Sequence, residues 1–318
     1  MARAASPKIA VLLPCYNEEA AIGATVAGFK AALPDAAIYV YDNNSRDRTR
    51  EIAAQAGAVV RTEKQQGKGH VVRRMFADID ADVYVMADGD LTYDPAASPA
   101  MVDMLLAEQL DMVVGTRRHE AKDAYRGGHV LGNRIFTGLL SGLFGRSFSD
   151  IFSGYRVFSR RFVKSFPVLS EGFEIETEMS VHALELKMPV GEVETSYGAR
   201  PEGSHSKLST YGDGWKILKT IANLYRVERP VLFYGSIGAL LVIAAIILAI
   251  PLVETYLQTG LVPRFPTAIL VTGMVIVAVL CIFAGLILDT VTRGRREVRR
   301  LAYLSLSSPG FPGEGDRP

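Results

Sequence analysis

Residues 83–94 read Val-Tyr-Val-Met-Ala-Asp-Gly-Asp-Leu-Thr-Tyr-Asp. An apolar run ends in two carboxylates one residue apart, Asp88 and Asp90. Such a pair at the tip of a buried strand has three uses. It can hold a divalent cation, act as acid and base, or cap a turn. In a strand-like stretch residues i and i+2 point the same way, so the spacing predicts that both acids face one site. Thr92 and Asp94 are better placed than either acid to cap the next helix. The histidines His70, His119, His129, His182 and His205 show no metal-ligand spacing and read as structural or surface residues.

The elements that must position these acids alternate over the first 200 residues. Lys8–Leu13, Ile38–Tyr41, Ala58–Val60, Asp82–Ala87 and Asp111–Gly115 read as strands. Glu18–Leu33 reads as a helix with Asn17 as N-cap, Arg50–Ala56 as one ending at Gly57, and Lys68–Asp78 as a third. Pro95–Gln109 is a helix with proline at its start. The βαβα order predicts an α/β fold, a mostly parallel sheet with helices on both faces. Ligands bind such sheets beyond the carboxyl ends of the strands. The polar loops at Asn17–Glu19, Asp42–Asp47 and Asp88–Asp90 all follow strands and should gather on one edge. Further on, His129–Phe144 and Ile175–Leu186 read as helices, and Gly154–Ser159 and Val190–Thr195 as strands. Ser204–Gly214 reads as a mobile loop.

The C-terminal third differs in kind. Val231–Val253 carries no charge in 23 residues and Thr267–Leu288 none in 22. Each is long enough to cross a hydrocarbon core of about 30 Å at about 1.5 Å per residue. The linker Glu254–Pro266 is short, so the two spans form a hairpin with both flanks on one side. Lys216, Lys219, Arg226 and Arg229 precede the hairpin, and Arg293, Arg295, Arg296, Arg299 and Arg300 follow it. The linker offers only Arg264. The positive-inside rule therefore puts residues 1–210 in the cytoplasm, on the inner face of a cytoplasmic membrane crossed twice. Asp213–Glu228 has an amphipathic pattern and reads, within 211–229, as an interfacial helix. The spans lie within 230–290, at about 231–253 and 267–289. Residues 291–318 read as a basic, then disordered tail. Two spans give little membrane area, which leaves room for a homo-oligomer. The net charge of +1 gives no field for nucleic acid, and two cysteines, Cys15 and Cys281, argue against a disulfide framework.

These motifs together resemble the inverting family-2 glycosyltransferases with the GT-A fold. More narrowly, the chain is similar to the polyprenyl-phosphate glycosyltransferases, the group that includes dolichol-phosphate mannose synthase. The resemblance runs from about residue 7 to about 210. It rests on "VLLPCYNEE" (Val11–Glu19), "YDNNSRDRT" (Tyr41–Thr49), "GKGHVVRRMF" (Gly67–Phe76), "DGD" (Asp88–Asp90), "GTR" (Gly115–Arg117), "DIFSGYRVF" (Asp150–Phe158), "GFEIETE" (Gly172–Glu178) and "RPEGSHSK" (Arg200–Lys207), in that order. The second loop of the family reads Asp-Asp-Gly-Ser-x-Asp. Here Asn43 and Asn44 replace the second Asp and the Gly, and Asp42, expected to face the base, is kept.

The resemblance implies a hexosyltransferase that moves a sugar from a UDP- or GDP-sugar to polyprenyl phosphate with inversion, for synthesis of a cell-envelope glycan. It implies that Pro14, Tyr16, Asn17, Glu18, Asp42, Asn44 and Lys68 bind the nucleotide. Asp90 is the better ligand for Mg²⁺ or Mn²⁺, and Asp88 joins it or holds ribose or sugar hydroxyls. A divalent ion bridging two phosphates offsets the charge that develops on a diphosphate leaving group. Arg117, Arg134, Arg200 and Lys207 are placed to bind the acceptor phosphate, since Arg makes two-point phosphate contacts and Lys supplies a point charge. Within Glu174, Glu176 and Glu178, Glu176 is the site acid, as a base or as a partner for sugar hydroxyls or Arg200. A phosphate acceptor, largely anionic at neutral pH, needs little deprotonation. Asp150 serves either the site or a turn.

Other readings fit less well. A processive polysaccharide synthase would carry Gln-x-x-Arg-Trp, whereas the single tryptophan is Trp215 in Asp-Gly-Trp. A transporter would need polar groups in its spans. A transferase using a non-phosphate membrane acceptor and an inactive nucleotide-sugar-binding scaffold remain as alternatives.

Overall fold

The computed structural model describes residues 6–119, 138, 148–172, 174–199, 201, 223 and 225–309. Two compact units divide the chain, Met1–Tyr211 with Arg299–Pro318, and Gly212–Val298.

The first unit is built on a seven-stranded sheet. Its strands are β1 (Ile9–Cys15), β2 (Ala37–Asp42), β3 (Val59–Thr62), β4 (Val83–Met86), β5 (Met112–His119), β6 (Arg156–Ser159) and β7 (Val190–Tyr197), in spatial order β3-β2-β1-β4-β6-β5-β7. All neighbours run parallel except β6, which is antiparallel to both β4 and β5. The central strands β4 and β6 are buried at every position, as expected of strands covered on both faces. Among the described residues, the unit also contains helices α1 (Ile22–Ala32), α2 (Thr49–Gln55), α3 (Lys68–Asp78), α4 (Ser98–Ala107), α5 (Arg160–Ser165) and α6 (Ile175–Glu185).

On one face Val11, Leu13, Val85 and Val157 pack with Val26 and Phe29 of α1 and Met101 and Leu105 of α4. Phe76, Tyr84, Phe158, Phe162 and Phe166 form a chain of edge-on and stacked rings. Aromatic pairs of this kind add about 0.5–1.5 kcal/mol each beyond their burial.

Local chemistry moves several boundaries. The first helix begins at Ile22, not Glu18. Residues 18–21 form a turn in which Ala21 and Ile22 donate to the Glu18 carbonyl. Asn17 is not its cap; it sits at φ 52° and its side chain accepts from Arg46 N. Gly57 ends α2 at φ 91°, as expected. Pro95 opens a single 3₁₀ turn capped by Asp94, whose carboxylate accepts from Ala96 N, and α4 proper starts at Ser98. Strand β5 runs four residues beyond the expected Gly115, because β7 pairs with it through His119. Of the expected helix 129–144 only residue 138 is described, and it is helical; the expected loop 204–214 and most of the expected interfacial helix 211–229 lie outside the described residues. Residues 225–228 are helical.

The second unit is a helical hairpin. Helix α7 (Pro230–Thr259) and helix α8 (Phe265–Leu304) are both longer than the spans read from sequence, and the linker shrinks to residues 260–264. Both are long and apolar enough to cross a membrane. Only 11% of the most apolar window of each is buried, so neither is the core helix of a soluble fold. Gly238 lies close against the Ala278 backbone and Gly285 against Pro230, which lets the two helices meet near their backbones. Thr292 donates to the Val227 carbonyl, and Arg296 pairs with Glu228 at 2.9 Å.

Through the basic residues after 291 the chain stays helical to Leu304, just before Ser305, where the disordered part of the tail is expected. The last residues of this helix belong to the first unit, where they find partners. Arg299 pairs with Glu185 at 2.6 Å. The Tyr303 hydroxyl donates to Asp111 at 2.8 Å, and its ring lies 4.8 Å beneath the Arg161 guanidinium.

Candidate active site

Topology brings the polar loops together. Cys15 at the end of β1 lies beside Asp42 at the end of β2, and Leu12 lies beside Met86 at the end of β4. Because β6 is reversed, its start at Arg156 is level with Met86 and with Val114 of β5. The loops after β1, β2 and β4, the final residues of β5 and the segment just before β6 therefore share one edge.

The first two loops are laced to each other. Ser45 Oγ accepts from Asn17 N, Thr49 Oγ1 accepts from Glu18 N, and Asn17 Oδ1 accepts from Arg46 N, at 2.8 Å each. Pro14 ends β1 with Cys15, and Tyr16, Asn17 and Glu18 follow in this laced segment. Asp42 is fully buried; its carboxylate accepts from Ser45 N and lies 3.7 Å from Arg50. Its work in this structure is to shape the turn. Asn44 sits at φ 66° and donates to the Lys64 carbonyl.

The Asp-Gly-Asp turn departs from strand geometry. Strand β4 ends at Met86, so the alternation of i and i+2 does not reach the two acids. Asp88 accepts from Lys68 Nζ at 2.5 Å. Asp90 is 3% exposed, and its Oδ1 accepts from Thr92 N at 3.2 Å and Thr92 Oγ1 at 2.6 Å. Asp90 thus holds its own turn, while Asp94 caps the next helical turn, as the sequence reading has it. Leu91 at φ 59° makes the reversal sharp.

Lys68 is the hinge of the cluster. Its Nζ lies 2.5 Å from Asp88 Oδ1 and 2.5 Å from Glu176 Oε1. Burial alone would push the ammonium down, but the two carboxylates outweigh it and hold its pKa well above the ordinary lysine value. Lys68 therefore stays charged. Glu176 is brought beside Asp88 through Lys68. Glu178 is not: its two oxygens accept from Leu169 N and Ser170 N at 2.8 Å each. Glu174 immediately precedes α6 as its N-cap residue, with no side-chain cap bond.

Gly154 faces this cluster. A Cβ there would lie 2.9 Å from Asp88 Oδ2 and 3.3 Å from Lys68 Nζ. The Gly154 N–H donates to the Tyr93 hydroxyl at 2.8 Å. Burial, then the charge of Asp88, pushes the Tyr93 phenol well above its ordinary value, so it keeps its proton.

Arg117 and Asp150 form a second charged unit at the same edge. Nε and Nη2 of Arg117 donate to the two Asp150 oxygens at 2.6 and 2.8 Å. The guanidinium also lies 5.4 Å over the Tyr197 ring. Burial works against the charge on Arg117, but Asp150 more than offsets it and raises the pKa. Burial likewise works against Asp150, and Arg117 holds it below the ordinary carboxylate range. Asp150 thus serves as the partner of Arg117. The expected phosphate ligands Arg134, Arg200 and Lys207 lie outside the described residues.

Sequence reasoning placed Lys68 with the nucleotide and missed its bond to both acids. It also missed Tyr93 and Gly154. The available signal was the lysine between two glycines at the first turn of α3. Among the described residues no three His, Cys, Asp or Glu side chains cluster as a metal cage. A magnesium-type site needs only one or two protein carboxylates beside substrate phosphates, and the all-oxygen pair Asp88 and Asp90 on one turn fits that donor set.

Residues 10–166 match the family model described as Glycosyl transferase family 2. The chain is 34% identical to Glycosyltransferase AglJ of Haloferax volcanii over 232 residues, covering 72% of this chain and 76% of that protein. It is 29% identical to a Dolichyl-phosphate hexose transferase of the same organism, covering 70% of this chain and 95% of that protein. Its fold is similar to that of glucosyl-3-phosphoglycerate synthase from Mycobacterium tuberculosis, crystallised with Mn²⁺, UDP and glucosyl-3-phosphoglycerate. That likeness has a TM-score of 0.57 at 24% identity, over 70% of this chain and 80% of that one.

Proposed function

The chain is a member of glycosyl transferase family 2, a glycosyltransferase with a GT-A-type sheet, and from that premise we propose that it transfers a hexose from UDP- or GDP-sugar to a polyprenyl phosphate, with inversion, at the cytoplasmic face of the inner membrane. One observation carries the reading: a single chain joins the Lys68–Asp88–Glu176 cluster to two apolar helices, only 11% of whose most apolar windows is buried. Helices so exposed need lipid around them. A transferase held in lipid meets lipid-borne acceptors. The dolichyl-phosphate relative supports the same substrate class.

In the transfer a phosphate oxygen of the acceptor attacks the anomeric carbon. The bond from that carbon to the donor's diphosphate oxygen breaks, and its electron pair leaves on the diphosphate. Attack from the opposite face inverts the centre. The acceptor phosphate has a second pKa of about 6, so it arrives largely ionised and no strong general base is required. Glu176, held by Lys68, accordingly orients groups rather than removing a proton. The loops around Pro14, Tyr16, Asn17, Glu18 and Asn44 receive the nucleotide. Asp90, with Asp88, would hold Mg²⁺ or Mn²⁺, which when bound supplies counter-charge to the diphosphate. Lys68 adds a fixed positive charge at the same edge. Arg117 anchors the wall of the site with Asp150, and Arg134, Arg200 and Lys207 remain the proposed phosphate ligands near the lipid.

The test is transfer itself. Purified full-length protein, a polyprenyl phosphate, Mg²⁺ or Mn²⁺ and a panel of labelled UDP- and GDP-hexoses should give labelled lipid from at least one donor. Chelation should abolish it, and Asp90→Ala should cut it by about 10²-fold or more. Binding of donor without transfer would favour an inactive scaffold. Undiminished transfer by Asp90→Ala would remove the metal assignment.

A further inference from the structure

Asn43 and Asn44 stand where the resembled loop has Asp and Gly. Asn44, at φ 66°, occupies the left-handed region that Asn tolerates better than other residues with a side chain. Its replacement of Gly needs no further explanation. Asn43 is different. It is 4% exposed, and its side chain turns into segment 63–67. Nδ2 donates to the carbonyls of Glu63 at 3.0 Å and Gln65 at 2.7 Å. Oδ1 accepts from Gly67 N at 2.8 Å and Gln66 Nε2 at 3.2 Å. This uses both donors and both acceptor positions of a primary amide. A carboxylate only accepts, so Asp at this position would face two carbonyl oxygens with an anion.

The segment that Asn43 holds ends at Gly67, and the next residue is Lys68. The far side of the same turn is fixed as well. Gly69 N donates to the Glu171 carbonyl at 3.0 Å. A Cβ on Gly67 would come within 2.2 Å of the Glu171 oxygen, and one on Gly69 within 2.0 Å of the Ser170 oxygen. Segment 169–170 is itself held by Glu178. The backbone on both sides of Lys68 is therefore pinned, by Asn43 from one direction and by 170–171 from the other.

We infer that Asn43 is a positioning residue for the transfer reaction: its amide fixes the entry to α3 so that Lys68 Nζ lies between Asp88 and Glu176. The kinetic consequence rests on the transfer proposed above; the placement of Lys68 does not. Asn43→Asp replaces two attractive contacts by repulsive ones and should free the lysine. Asn43→Ala removes the contacts without repulsion and gives a milder form of the same change.

The experiment reads both levels in the full-length protein. An amine-acetylating reagent is applied at low dose, and peptide mass spectrometry compares Lys68 with exposed Lys64 in the same chain. In the unaltered protein Lys68 should react about tenfold more slowly than Lys64 or less, since it must leave an ion-paired, half-closed site first. In Asn43→Asp the two rates should approach within about threefold, with Asn43→Ala between. A Lys68 that stays as protected in both variants would overturn the inference, whether or not any sugar is transferred. Where transfer is measured, Asn43→Asp should lower kcat about tenfold with donor KM nearly unchanged, and should have no further effect in a Lys68→Met background. Equal losses with and without Lys68 would show that Asn43 acts as structure alone.

Discussion

Lys68 and Glu176 are 108 residues apart in the chain and meet at 2.5 Å. The same ammonium binds Asp88, so the first residue of α3 ties the turn after β4 to the first turn of α6. Lys68→Met leaves Asp88 and Glu176 facing each other without a counter-charge. A buried charge pair broken on one side costs more than the pair contributes. Turnover should fall about 10²-fold, and Lys68→Arg should recover part of it, because the charge returns with a different shape. Steady-state transfer rates of the two variants check this; equal loss in both would mean that shape, not charge, is what the site requires.

The Arg117–Asp150 pair sets an acid limit on the catalytic unit. Asp150 is held below its ordinary value of 3.8 by Arg117 against the effect of burial. A depressed carboxylate contributes stability that is complete above the unfolded pKa and disappears as pH falls through the folded one. The unaltered protein should therefore lose this contribution only below about pH 4. Asp150→Asn should lack that acid-side loss. Arg117→Ala should destabilise by about 2–3 kcal/mol at neutral pH, less than a fully buried pair because Arg117 keeps some exposure. Thermal melting between pH 7 and pH 3 reads both effects. A melting difference between Asp150→Asn and the unaltered protein that stays constant across that range would contradict the assignment.

Much of this architecture is legible in the sequence. The apolar runs of β1, β2 and β4 and the period of α3 announce themselves locally, and the one-edge clustering of loops follows from parallel strand order. The reversal of β6 does not show, because four consecutive buried residues read alike in either direction. Strand alternation does not orient Asp88 and Asp90, which lie two and four residues past the end of β4. The Lys68 contacts were invisible because no local rule links residue 68 to residue 176. The bond from the Tyr303 hydroxyl to Asp111 was equally invisible, since it joins residues 192 apart.

His182 predicts a second, separate pH effect. It is 2% exposed among Phe162 and Phe166, with Nε2 near Ser165 Oγ and Nδ1 without a partner among the described residues. Burial, aided by the charge of Arg299, pushes its pKa down to about 3. A base with a lowered folded pKa lets the unfolded chain take up more protons, so stability is complete above the unfolded value of 6.5 and declines as pH falls toward the folded one. The decline should reach about 3 kcal/mol by pH 4.5, above the range in which Asp150 acts. His182→Leu should flatten the melting profile between pH 6.5 and 4.5; an unchanged slope would show that His182 is not its source.

Gly154 separates room for chemistry from room for folding. Its missing side chain lets Asp88 Oδ2 and Lys68 Nζ come close against its backbone, while its N–H is fixed by the Tyr93 hydroxyl. In Gly154→Ala the new methyl would sit at 2.9 Å from the carboxylate oxygen, closer than ordinary contact. Asp88 is partly exposed and has room to rotate outward, so the fold can absorb the change. The cost falls on the cluster: Asp88 leaves Lys68, and the ammonium shifts toward Glu176. Transfer should drop about 10- to 100-fold while the melting temperature changes little, since a displacement of about 1 Å is enough to misplace a catalytic group. Tyr93→Phe removes the acceptor for Gly154 N and should weaken the same wall by about 1 kcal/mol without filling the space. Measured together, the two variants separate the causes. Activity lost in Gly154→Ala and largely kept in Tyr93→Phe identifies the close approach of Asp88 to Gly154 as the requirement. Equal loss in both would instead make the anchoring of the 153–155 backbone the feature that matters.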